Sequence, residues 1–224
     1  ILGQLGNATS NWRFDEGTAS SAFDSGPFGR DGTLKNMTSA DWVTGKYGTA
    51  LDFDGNNDYV NIDGYRGIQN GYVRTVTAWI KTNSSGAQSI ISWGDVHNSA
   101  GKQWTFMLEN NKLGLKVWSG YKKSTTTIPS GQWHHVAVVL DDEFSPNLQD
   151  VDFYVDGVQT GVTQNWNVPL DTQDDIDVMI GAGMWPNSTT QRRYYFDGLI
   201  DEVRLYNVSL TGPQIQSVMN DNGN

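Results

Sequence analysis

Turn formers break this chain at intervals too short for long helices. Asn110-Asn111 divides residues 103–108 from 113–118, and Asp156-Gly157 divides 151–155 from 158–161. Asp-Gly between apolar runs is among the strongest short-range hairpin signals. Gly55-Asn-Asn, between 50–54 and 58–62, predicts a third hairpin. Further runs rich in β-branched and aromatic residues lie at 11–15, 73–81, 89–93, 175–180 and 196–207, which is what strands favour. Residues 133–140 are apolar on both faces and so belong at the centre of a sheet. A helical grouping occurs only at 211–220, where Ile215, Val218 and Met219 fall together. Many short strands and almost no helix predict an all-β fold, an antiparallel β-sandwich with at most a short C-terminal helix.

A length of 224 residues suits one large β domain with its own core. Residues 1–9 read as a linker end and 10–224 as a single domain. Cysteine is absent, which excludes disulfides, thiolate metal sites and cysteine nucleophiles. A net charge of -10 argues against non-specific nucleic-acid binding, which needs a basic surface, and suits hard cations. No apolar run reaches the roughly 18 residues of a membrane span. The start shows no basic and apolar leader, so the chain reads as a mature or excised segment. Sequons begin at Asn7, Asn36, Asn83, Asn187 and Asn207 and matter only in a glycosylating compartment.

The strand at 196–207 raises a chemical question. Counting by twos puts Leu199, Asp201, Val203 and Leu205 on one face, and Ile200, Glu202, Arg204 and Tyr206 on the other. A carboxylate among core aliphatics is costly unless it is paired, hydrogen-bonded or bound to a metal. Two readings stay open. Either the strand bulges and Asp201 caps a turn through backbone N–H groups, or Asp201 is a metal ligand. The loop at 16–32 is dense in glycine and aspartate and has few apolar anchors. Loops that long are usually functional or pinned. One calcium ion would answer both questions, since it takes six to eight oxygens from carboxylates, carbonyls and water. Asp24 and Asp201 are the expected side-chain ligands. Carbonyls near Gly26, Gly29 and Arg30 would complete the shell, with Asp15 and Asp31 as further candidates. Zinc is disfavoured without cysteine.

Trp12, Trp79, Trp93 and Trp133 lie in strands and read as core. Trp118, Tyr121, Trp166 and Trp185 lie in or beside loops. An aromatic face next to polar groups is what a sugar ring requires, so these four are the candidate ligand-binding residues. The competing reading is that each covers an edge of the sandwich. His134 and His135 are adjacent on a strand and point to opposite faces, so they cannot chelate one ion together. His135 is expected to be buried and structural. Neither a Gly-X-Ser-X-Gly elbow nor a phosphate-cradling glycine loop occurs.

The order of motifs adds a resemblance. Trp12-Arg-Phe-Asp-Glu-Gly precedes Asp24-Ser-Gly, then Gly48-Thr-Ala-Leu-Asp-Phe-Asp-Gly with Asp58-Tyr-Val. Val76-Thr-Ala-Trp-Ile, Gly131-Gln-Trp-His-His-Val-Ala and Phe153-Tyr-Val-Asp-Gly follow, and Phe196-Asp-Gly-Leu-Ile-Asp-Glu-Val-Arg-Leu-Tyr-Asn closes the series. From about Trp12 to Leu210 this resembles the laminin G-like domains of the concanavalin A-like lectin/glucanase superfamily. The resemblance implies a jelly roll of two curved antiparallel sheets. It also implies a secreted or cell-surface module that binds glycans or proteins, often with calcium. Glucanases of the superfamily carry Glu-X-Asp-X-X-Glu or a near variant on one strand, and this chain does not. The expectation is therefore a non-catalytic carbohydrate-binding or adhesive module with a poly- or oligosaccharide partner and a structural calcium ion. The alternative is a structural or protein-interaction domain of a surface fibre or larger exoprotein.

Overall fold

Alternation along the strands separates apolar from polar side chains, and the apolar sides close on one another. A computed structural model describes residues 8–221 apart from 19, 96, 98, 143, 165, 185 and 186. In chain order, β1 is Ser10–Trp12, β2 Ser21–Ala22, β3 Gly32–Lys35, β4 Trp42–Thr44, β5 Thr49–Asp54, β6 Tyr59–Ile62 and β7 Arg74–Lys81. Then come β8 Gln88–Gly94, β9 Gln103–Glu109, β10 Lys112–Lys116, β11 Tyr121–Ser124, β12 His134–Leu140 and β13 Val151–Val155. The series ends with β14 Val158–Gln159, β15 Val162–Gln164, β16 Ile176–Ile180, β17 Gly183–Met184, β18 Arg192–Arg193, β19 Asp197–Tyr206 and the helix α1 Gly212–Met219.

One sheet has eight strands in the order β14-β13-β12-β7-β19-β5-β4, with β1 also on β19. The other has nine, in the order β15-β11-β10-β9-β8-β16-β6-β3-β2. All pairings are antiparallel, and the fold is the expected jelly roll. The core lies between the sheets, where Trp93 and Trp104 stack with ring centroids 5.7 Å apart. The outer face of the eight-stranded sheet is covered by α1, whose Ile215 and Val218 pack on Ala137, Val139, Tyr154 and Tyr206. Gln214 Oε1 accepts the Thr211 N–H at 2.8 Å, and Pro213 sits in the first turn, so the helix starts where the sequence directs. Two hairpins form as expected. Asn110 and Asn111 take φ of 53° and 56°, and Asp156 and Gly157 take 50° and 76°, the double positive φ of tight hairpin turns.

Three expectations are corrected. Gly55-Asn-Asn is not a hairpin, because β5 and β6 belong to different sheets. Asp54 Oδ1 accepts the Asn56 and Asn57 amides, and this side-chain turn carries the chain from one layer to the other. Trp133 precedes β12 and is half-buried. The alternation along β19 is broken by a register shift between Asp201 and Arg204, where Glu202 takes φ 50°. The bulge changes which side chains face in. Ile200 joins Val203 and Leu205 in the core, while Leu199 is only half-buried. Asp201 pairs across the ladder with Trp79, which lies outside the inter-sheet core. Thr9 N donates to Leu205 O at 2.8 Å.

Arg74 was not singled out by the sequence. It is fully buried. Its guanidinium donates to the carbonyls of Tyr72, Gln69 and Asn70 at 2.8, 3.2 and 2.7 Å, and to Thr172 Oγ1 at 3.1 Å, and it lies 4.8 Å from the Trp104 ring centroid. Burial lowers its pKa to about 9, which still leaves it charged at neutral pH. A buried cation is tolerable because several oxygens replace its water.

Candidate functional site

On the outer face of the nine-stranded sheet, β9 and β10 present Met107, Glu109, Gly114 and Lys116. The alternate residues Phe106, Leu108 and Leu115 face the core. Across this face, against β8, lies the segment containing β17 and β18. Ser92 Oγ donates to Ala182 O at 2.7 Å, Ser89 N donates to Tyr194 O at 2.7 Å, and the Arg192 guanidinium sits 4.6 Å from the Tyr59 ring centroid. Between that segment and β9–β11 opens a cleft of about 320 Å³, lined by Met107, Glu109, Lys116, Ser119, Gly120, Tyr121, Trp166 and Tyr194.

The cleft brings together two of the four expected aromatic residues. Tyr121 and Trp166 line it, and Trp166 is 66% exposed. Trp118 is half-buried in the turn beside it, where Trp118 and Ser119 both take φ 55°. Trp185 lies outside the described residues. Gly114 makes room for the tyrosine: a Cβ there would stand 2.7 Å from the Tyr121 ring. The Tyr121 hydroxyl donates to Glu109 Oε2 at 3.1 Å, and Lys123 Nζ reaches the same oxygen at 3.4 Å. Burial and the Glu109 charge hold the Tyr121 pKa well above its ordinary value, so it remains a neutral donor. Lys116 Nζ donates to the Tyr194 hydroxyl at 2.8 Å. Apolar ring faces thus stand beside fixed hydrogen-bonding groups. Tyr194, Lys116 and Glu109 escape a sequence reading because residues far apart in the chain meet there.

The expected calcium ligands fall in two groups: Asp24, Asp31 and the Arg30 carbonyl in the N-terminal loop, and Asp15 and Asp201 on the turn at 46–49. Asp24 Oδ1 accepts the Asn11 amide at 2.7 Å and the Gly26 amide at 2.8 Å, and Oδ2 accepts the Arg30 amide at 2.9 Å. Asp31 Oδ1 accepts the Asp24 amide at 2.8 Å. The Arg30 carbonyl accepts the Trp12 indole N–H at 2.8 Å. Arg30 itself lies between aromatic rings, 3.9 Å from the Tyr65 centroid and 4.4 Å from that of Phe28. The long loop is therefore pinned by protein groups. Amide donors take three of the roughly four acceptor sites of the Asp24 carboxylate, and the Trp12 indole takes one of the two on the Arg30 carbonyl. Gly29, with φ 58°, has no atom within 4 Å of where its Cβ would stand. Asp15 pairs with Arg13 at 2.9 Å and accepts the Thr49 amide at 3.2 Å.

Asp201 caps a turn, the first of its two readings. Its Oδ2 accepts the Lys46 and Tyr47 amides at 2.8 and 3.1 Å. Its Oδ1 is buried without a hydrogen-bond partner among the described residues, and burial raises the pKa to about 7. Among the described residues, one group of three metal-competent side chains falls within 4.8 Å: Asp95, His97 and Asp175. It contains none of the expected ligands. His135 is buried as expected, 5.4 Å from Trp79 between ring centroids, and burial lowers its pKa to about 3.

Two packed antiparallel sheets with a polar-aromatic cleft on one outer face define a lectin-like jelly-roll domain. The family model described as the concanavalin A-like lectin/glucanases superfamily, Laminin_G_3, matches residues 54–216, and the chain belongs to that family. A comparison with curated proteins gave no match. Among solved structures, the chain is similar to domain 4 of AbnA, an extracellular GH43 arabinanase from Geobacillus stearothermophilus, in complex with arabinotriose. That likeness has TM-score 0.68 and 22% identity, covering 95% of this chain and 98% of the other. It is also similar to the CBM40 of Ruminococcus gnavus IT-sialidase bound to α2,3 sialyllactose, with TM-score 0.54, 15% identity, and 75% and 95% coverage. A third likeness is the ligand-binding domain of botulinum neurotoxin serotype D with N-acetylneuraminic acid. There the TM-score is 0.58 and the identity 14%, covering 95% of this chain and 50% of that one. At these identities the likenesses show the fold.

Proposed function

We propose that this domain is a non-catalytic carbohydrate-binding module of an extracellular or cell-surface protein, and that oligosaccharide binds in the Tyr121–Trp166 cleft. One observation carries the reading. The fold places an exposed indole and a tyrosine ring beside Glu109, Lys116 and Ser119. Aromatic faces accept the C–H side of a sugar ring, and the polar groups fix its hydroxyls. The sugars bound by the structurally similar domains support it. Among the described residues, Glu109 is the one carboxylate lining the cleft, and it is held by Tyr121 and Lys123. A retaining glycosidase needs two carboxyls about 5–5.5 Å apart, so binding without hydrolysis is the chemistry this cleft supports.

Calcium belongs to the proposal as a structural component apart from the cleft. Its support is the Asp95–His97–Asp175 group, where two carboxylates in contact favour a proton or a cation between them. The fit is partial, because calcium prefers oxygen donors and one of the three is an imidazole.

A glycan array of wild type and Trp166→Ala tests the reading. The wild type should give repeatable glycan hits, and the variant should lose them while its melting temperature stays close to wild type. An array without hits, or a variant that binds unchanged, contradicts the proposal. Sugar release from any hit would overturn the non-catalytic part.

A further inference from the structure

We propose that the sugar bound in this cleft carries a carboxylate and that the Lys116 ammonium receives it. The inference rests on the glycan reading above and names the ligand's class.

The chain as a whole carries a net charge of -10, yet cations gather around this cleft. Lys123 has a partner in Glu109 at 3.4 Å. Lys116 Nζ meets the Tyr194 side chain, with its hydroxyl at 2.8 Å and its ring centroid at 5.1 Å, and among the described residues no carboxylate lies within ion-pair distance of it. The Arg193 guanidinium lies 4.1 Å from the centroid of the same Tyr194 ring. One aromatic ring therefore holds two cations. The negative face of the ring attracts each of them. An anionic group of a sugar in the cleft would meet the Lys116 charge there, whereas a neutral sugar gains nothing from it.

The backbone gives a second, independent indication. Tyr194 takes φ 56°, and Trp118 and Ser119 take 55°. Non-glycine residues held in that region are strained and cluster at ligand clamps. All three border the cleft on its two sides. A carboxylate suits the donors present. The ammonium of Lys116 offers a charged hydrogen bond and Ser119 a neutral one, while Tyr121 and Trp166 take the apolar face of the ring.

The test is a panel of matched pairs. Galacturonate, glucuronate, mannuronate and sialylated oligosaccharides are each presented beside a carboxyl-reduced or methyl-esterified twin, with sulfated chains as a further arm. Wild type, Lys116→Gln, Lys116→Arg and Trp166→Ala are titrated at low and high salt. At least one acid should bind about tenfold more tightly than its neutral twin, a difference of about 1.4 kcal/mol. That preference should collapse in Lys116→Gln, survive in Lys116→Arg and shrink in high salt. Equal binding of acid and twin overturns the proposal and leaves the glycan reading standing if Trp166→Ala abolishes both. A preference that survives Lys116→Gln overturns the role of Lys116. Binding of sulfated chains alone overturns the carboxylate. Silence across the panel with folded protein removes both this proposal and the glycan reading.

Discussion

At the scale of single residues, Asp201, Trp79 and His135 stand side by side on β19, β7 and β12. Lys46 Nζ lies 4.2 Å from the Trp79 ring centroid, and Glu202 pairs with Arg204 at 2.8 Å nearby. Asp201 and His135 both favour their neutral forms, and their pH effects oppose each other. The folded pKa of Asp201, about 7, lies above its unfolded value of about 3.9. Its contribution to stability is therefore fully present below about pH 4 and is lost as pH rises to about 7. The folded pKa of His135, about 3, lies below its unfolded value of about 6.5. Its contribution is present above about pH 6.5 and is lost as pH falls towards 3. Single variants separate the two. Urea unfolding should show Asp201→Asn losing stability relative to wild type at mildly acidic pH and regaining it near pH 8, in steps on the order of 1.4 kcal/mol per pKa unit. A constant difference across that range would mean that Asp201 titrates normally. The bulge that brings this carboxylate under the 45–48 turn was one of two readings the sequence left open. Two-residue alternation cannot show a register shift, which depends on the neighbouring strand.

At the scale of elements, β10 shows how a strand serves the core and the site together. Leu113 and Leu115 fill the core, while Gly114 and Lys116 face outward. Gly114 lets the Tyr121 ring lie on the sheet, and a methyl group there would meet ring atoms 2.7 Å away. Gly114→Ala should therefore rotate the tyrosine and weaken sugar binding roughly tenfold, about 1.4 kcal/mol, with a small change in melting temperature. Titration calorimetry beside a thermal melt checks this, and undiminished affinity would show that the Tyr121 ring is not part of the site. The hairpins and the central strand were legible because Asp156-Gly157, Asn110-Asn111 and the apolar run at 133–140 are local signals. The crossing at 55–57 was misread because Gly-Asn-Asn marks a turn whichever sheet the next strand enters. Tyr121 and Trp166 were legible as aromatics beside loops. Tyr194 and Lys116 were not, since nothing local connects residue 194 to β10.

At the scale of the whole molecule, protein contacts hold the long N-terminal loop. Asp24 collects amides, Trp12 holds the Arg30 carbonyl, and Arg30 is clasped by Phe28 and Tyr65. Any change of melting temperature on adding calcium or EDTA should therefore persist in Asp24→Asn and Asp201→Asn and disappear in Asp95→Asn. A response abolished by Asp24→Asn would restore the ion to the loop. The central claim concerns place: one cleft, on the outer face of the nine-stranded sheet, holds the sugar. A ¹H–¹⁵N titration with an oligosaccharide identified on the array tests it most directly. The account predicts shifts at Ser119, Gly120, Lys116, Tyr194 and the Trp166 indole N–H, with the indoles of the core residues Trp93 and Trp104 unmoved. Shifts confined to the Arg30–Tyr65 region or to the eight-stranded sheet, with the Trp166 indole unchanged, would contradict it.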